Sequence, residues 1–232
     1  MRDQRRLRKV LGVFHAFPEF APTHWSPVDQ RSLPPFEEEE AIHGFVADKH
    51  RTAQAVFKRN KNPKYEGFLF ATEGKLESIR LKFGKLASGR AYQALYEFGS
   101  ALAARVEPEF GFVHPNWALG NKSQEYSVAG RITASEIEKY GLRSLCARTW
   151  LGPRLTDALG RAVAKCRLVQ TSVAKNLVQV DLVEKPWDAD FATLSKRLKE
   201  VMVILAKTGW FGDYGQFGKY RKGKKWVPLA IL

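Results

Sequence analysis

Two periods of hydrophobic spacing organise this chain. Ile79, Leu81 and Phe83 alternate with Arg80 and Lys82, the period of a half-buried strand. With the apolar run Gly67–Ala71 before it, the pattern predicts a hairpin turning at Thr72-Glu73-Gly74-Lys75. A second pair of strands is predicted within 166–184 around Lys175-Asn176, and single strands over Phe110–His114 and Leu145–Leu151. Helical spacing governs the stretches between. Ala91, Leu95, Phe98, Leu102 and Val106 form one stripe over 89–107; Phe191, Leu194, Leu198, Val201 and Leu205 form another over 188–206 with Asp188 as its cap. Pro153 opens a helix to about Ala164, and Thr133-Ala-Ser-Glu136 has the form of a capping box for a short helix ending at Gly141.

The first sixty residues read less evenly. Five prolines at 18, 22, 27, 34 and 35 make 18–36 a loop. Glu37–Glu40 then supplies an acidic first turn. A helix over 37–59 is predicted, with Ile42, Phe45, Val46, Lys49, Ala53, Val56 and Phe57 near one face. Strands and helices in this order predict an α+β fold, an antiparallel twisted sheet with helices packed on it. The expected organisation is a single compact domain, with pseudo-subdomains at 1–110 and 111–232.

Composition narrows the class. The chain has 232 residues, 44% hydrophobic and 12% aromatic, which suits a globular protein. No apolar run is long enough to span a membrane, and the start of the chain does not read as a secretory signal. A cytoplasmic location with no membrane association is therefore expected. Cys146 and Cys166 alone make neither a disulfide framework nor a zinc site.

The net charge of +14 is concentrated at the ends. Arg2, Arg5, Arg6, Arg8 and Lys9 against Asp3 give +4 in the first ten residues. Lys207, Lys219, Arg221, Lys222, Lys224 and Lys225 against Asp213 give +5 in 207–225. This C-terminal segment, 207–226, also places glycines at 209, 212, 215 and 218 among Trp210, Phe211, Tyr214, Phe217 and Tyr220. Such a mixture fits a protein interface, where aromatics and Arg dominate. It equally fits a strand of nucleic acid, whose bases stack and whose phosphates are neutralised. The bland alternative is that Trp210, Phe211 and Trp226 pack back onto the domain. The expected partner-binding residues are Trp210, Phe211, Tyr214, Tyr220, Arg221, Lys222, Lys224 and Lys225.

Catalytic motifs are lacking in the sequence. There is no nucleophile elbow, no phosphate-binding Gly-rich loop followed by Lys, and no His-Glu-x-x-His. His43 and His50 are seven apart, two turns of a helix, which does not make a ligand pair. Glu66 with Glu73-Gly74-Lys75 has the carboxylates and lysine of a metal-dependent nuclease, yet the same residues are ordinary in a polar hairpin turn. No cofactor, no metal and no enzymatic activity are expected.

Residues 142–211 resemble immunity proteins of bacterial polymorphic-toxin systems, the cognate inhibitors of type VI secretion and related effectors. The likeness lies in LRSLCARTWLGPRLTDALGR, a strand running into the Leu151-Gly152-Pro153 turn and a helix ending at Gly160-Arg161. It continues through two strands closing at Val180–Asp188 and a final helix. In the N-terminal half it follows the order hairpin, helix, then a strand near His114-Pro115. The resemblance implies an antitoxin that binds a toxin, a nuclease for example, and blocks it sterically. The sign of the charge excludes a DNA-mimicking inhibitor, which would be acidic, and calls for a toxin domain with an acidic surface. The alternative is a nucleic-acid-binding protein using the basic aromatic C-terminal segment.

Overall fold

The computed structural model describes residues 2–46, 52–72, 75–115, 141–142 and 144–211. The chain divides into two compact units, Met1–Val106 and Glu107–Leu232. The fold is α+β, and the described residues form two antiparallel sheets of four strands, one in each unit.

The first unit opens on helix α1, Arg2–Ala16. Leu7, Val10, Leu11 and Phe14 recur at helical spacing and are all buried, while Arg5, Arg8 and Lys9 stay exposed. The basic start of the chain is therefore one face of an amphipathic helix, a role its charge conceals in the sequence. Strands β1 (His24–Ser26), β2 (Thr52–Arg59), β3 (Tyr65–Thr72) and β4 (Lys75–Phe83) pair in that order. Helix α2 spans Glu38–Gly44, and α3 spans Gly89–Val106.

The helix expected over 37–59 is thus a seven-residue helix and a strand. Gly44 ends the helix, and Trp25 lies against its backbone where a Cβ would stand. From Thr52 onward the side chains alternate: Ala53, Ala55 and Phe57 are buried, with Gln54 and Val56 half-buried between them. Ala53, Val56 and Phe57 also satisfy helical spacing, so both periods fit the sequence. Pairing along the whole of β3 decides for the strand, because propensity is a weak prior against tertiary contacts.

Glutamates 38 and 39 bond across to α1. Arg8 meets both oxygens of Glu39 at 3.4 Å, and His15 Nε2 lies 2.7 Å from Glu38 Oε2. The core of this unit lies between the helices and the inward face of the sheet, joining Leu11, Phe14, Phe20, Ile42, Phe57 and Phe98.

The second unit contains β5 (Phe110–Val113), β6 (Arg148–Leu151), α4 (Pro153–Lys165), β7 (Val169–Ala174), β8 (Leu177–Asp181) and α5 (Phe191–Leu205). The sheet order is β5-β6-β8-β7. Asp190, not Asp188, caps α5, its carboxylate accepting from the Thr193 N–H at 2.7 Å. Asp188 instead closes a turn, its N–H donating to the Lys185 carbonyl. The capping box at 133–136 lies outside the described residues.

Candidate functional site

One cluster of polar contacts in the second unit gathers where β6 hands over to α4. The first-turn N–H groups of a helix need acceptors, and Gly152 at the cap position has no side chain to offer. Glu109 supplies one from the preceding strand region, its Oε1 accepting the Leu155 N–H at 2.9 Å. The Gly152 N–H donates to the Glu109 carbonyl, also at 2.9 Å. A Cβ on Gly152 would stand 2.7 Å from Glu109 Cα, so only glycine permits this approach. Burial pushes the Glu109 carboxyl above its ordinary range, while the Leu155 N–H and Arg154 pull it down.

Arg154 in turn sits over the Trp210 ring, 5.4 Å from its centroid. The entry of the C-terminal segment is fixed here. Gly209 takes a left-handed conformation (φ 78°) after the 3-10 turn Ala206–Thr208, and the Leu142 N–H donates to the Trp210 carbonyl at 3.1 Å. Leu142 and Phe211 form a parallel bridge. Of the expected partner-binding residues, Trp210 is half-buried and Phe211 is 6% exposed. The core of the unit occupies the Phe211 ring and leaves little of it for a partner. Tyr214, Tyr220, Arg221, Lys222, Lys224 and Lys225 lie outside the described residues, as does Trp226.

A second polar group sits in the middle of this sheet, on β6 and β8. Arg148 and Asp181 face each other across the two strands and join at 2.8 and 2.7 Å, with both side chains under 10% exposed. Gln179 donates to Asp181 at 3.3 Å and accepts from the Trp150 indole at 3.2 Å. Trp187 covers the guanidinium at 5.6 Å. The pair is closed to solvent, which suits cohesion better than turnover.

The metal-nuclease alternative gains no cluster. Glu66 lies on β3 between Lys58 of β2 and Lys82 of β4, and Glu73 lies outside the described residues. Among the described residues, no group of three His, Cys, Asp or Glu side chains is placed to hold a metal ion. Cys146 and Cys166 are buried and form no disulfide. Also among the described residues, no helix is long and apolar enough to cross a membrane.

His114 is held well below its ordinary range by burial. Its Nδ1 accepts from the Ala147 N–H at 3.2 Å, and burial lowers its pKa from 6.5 to about 4. The imidazole is held neutral when folded and protonates more readily when unfolded. Its contribution to stability is complete above pH 6.5, declines as the pH falls towards 4, and is gone below that. A shift of this size corresponds to roughly 3 kcal/mol. Urea midpoints measured between pH 7 and 4 should fall through this window, and His114→Asn should flatten the slope. An equal slope in the variant would assign the pH dependence to other groups.

The chain matches no protein-family model, no curated protein and no solved structure.

Proposed function

We propose that this chain is a cytosolic immunity protein that binds a cognate bacterial toxin and neutralises it by occlusion, without catalysis. The observation that carries the proposal is the order of elements after residue 142. Strand β6 runs into Gly152-Pro153, helix α4 follows, two strands pair, and α5 closes the series. That is the order implied by the immunity-protein resemblance. Glu109, Gly152 and Arg154 make its central turn a rigid junction, and Trp210 under Arg154 ties the root of the basic aromatic segment to that junction.

In this proposal Tyr214, Tyr220, Arg221, Lys222, Lys224 and Lys225 meet an acidic toxin surface, with Trp210 at the base of the contact and Phe211 as its internal anchor. Opposite charge speeds the encounter and selects the partner. The test is to sequence the neighbouring reading frames for a toxin-like C-terminal domain and to co-express that domain with this chain. Growth should be restored, and the two proteins should purify as a one-to-one complex. Deleting 212–225 should weaken that complex while the urea midpoint stays unchanged. Cell death despite co-expression, with no complex in solution, would refute the proposal. Salt-sensitive binding to nucleic acid through 212–225 in its place would favour the alternative reading.

A further inference from the structure

We infer that the outward face of the first sheet binds single-stranded nucleic acid. Register fixes which residues stand there. Ala55, Phe57, Leu69 and Ala71 turn inward and are buried, so Val56, Phe68 and Phe70 turn the other way. Phe68 and Phe70 are half-buried and do not belong to the core cluster. Their rings lie 6.3 Å apart with planes only 13° from parallel, two similarly oriented π-surfaces side by side on a central strand.

Cations lie towards the Phe68 end of this pair. Arg80 is exposed directly across from Phe68, and Lys58 and Lys82 flank Glu66 one step along. Beyond them Lys61 and Lys64 are exposed in the turn that leads into β3. Lys85 is exposed just past β4, where the Gly84 N–H donates to the Lys64 carbonyl at 2.9 Å. Residues 51–90 carry ten Lys and Arg against Glu66, Glu73 and Glu77, a net of +7. That exceeds the +5 of all residues between the two charged ends, so this stretch of sequence is a third basic region hidden in the average.

The composition selects the occupant. Lysine and glutamate are depleted in the centres of protein interfaces, whereas lysines beside aromatic faces are what a phosphate backbone with unstacked bases requires. A duplex keeps its bases stacked on each other and offers the phenylalanines nothing. This surface is built from residues other than 212–225 and does not depend on the toxin-binding proposal.

The experiment is fluorescence anisotropy of a labelled 15-nucleotide oligo-dT with the full chain, from 50 to 200 mM NaCl. Micromolar binding that weakens with salt is expected, together with weaker binding to the corresponding duplex. Phe68→Ala/Phe70→Ala should lose at least tenfold in affinity with an unchanged salt slope. Lys82→Gln should lower the slope by about 0.7, the share of one phosphate contact to a single strand. Phe68→Leu/Phe70→Leu retains apolar surface without the rings and should lose affinity similarly. It also decides the matter should the alanine variant unfold, which circular dichroism reports. Full affinity in the leucine variant, equal binding to duplex, no binding at all, or capture of poly-glutamate in preference to oligo-dT would each overturn the assignment.

Discussion

Replacing Asp181 with alanine should destabilise the second unit by about 3–5 kcal/mol, the usual consequence of leaving one member of a buried ion pair behind. Arg148 would keep its charge beneath Trp187, with its two bonds at 2.8 and 2.7 Å removed. Gln179 would lose its acceptor as well, so the loss spreads along the network towards Trp150. The pair is not needed as a source of net stability, since two desolvated charges recover little beyond their own desolvation. The double variant Arg148→Met/Asp181→Leu should therefore regain most of what the single variant loses. Urea unfolding followed by tryptophan fluorescence measures both, and the difference gives the coupling. A cost below about 1 kcal/mol for Asp181→Ala is what an exposed pair shows, and would mean that water reaches the site.

Phe98→Ala should cost the first unit about 3–5 kcal/mol, the range for truncating a buried phenylalanine. Phe98 is 1% exposed, and its ring lies 4.8 Å from Phe20, 5.4 Å from Phe14 and 5.7 Å from Phe17. Those three come from α1 and the short turn after it, so one side chain of α3 holds the start of the chain in place. Alanine would leave a cavity lined by aromatic faces that cannot collapse without moving α1. Phe98→Leu conserves most of the volume and should cost under about 1.5 kcal/mol. Both values come from denaturation midpoints, and a small loss for the alanine variant would mean that the aromatic cluster rearranges freely.

The parts of this fold legible in the sequence are those where local signals agree. Gly152-Pro153 marks the start of α4, Lys175-Asn176 separates β7 from β8, and the stripes of α3 and α5 have one clear period. The first helix is missed because Arg5, Arg8 and Lys9 dominate the eye, while Leu7, Val10, Leu11 and Phe14 carry the structure. Thr52–Arg59 is misread because its apolar residues satisfy both periods, and only the pairing partner chooses between them. The same limit hides Phe68 and Phe70. Leu69 and Ala71 alternate with them, and a register slip of one residue exchanges inside for outside. Sequence shows that β3 is apolar on both faces, but not which face the helices cover. At the other candidate site, Trp210 and Phe211 are adjacent and alike in composition, yet one lies beneath Arg154 and the other in the core. Charge and aromaticity cannot separate those two environments.

The sheet order of the second unit bears on when each part of the chain can fold. In the first unit β2, β3 and β4 pair as successive neighbours, so a strand emerging during synthesis finds its partner at once. In the second, the central strand β6 pairs with β8, and Arg148 and Asp181 are 33 residues apart with α4 and β7 between them. A loop must close before that pairing gains anything, which slows the step. A ribosome adding residues from the N-terminus thus releases a meander that can zip by residue 83, while β6, which has the earlier β5 on one side, waits for β8 on the other and Arg148 waits for Asp181.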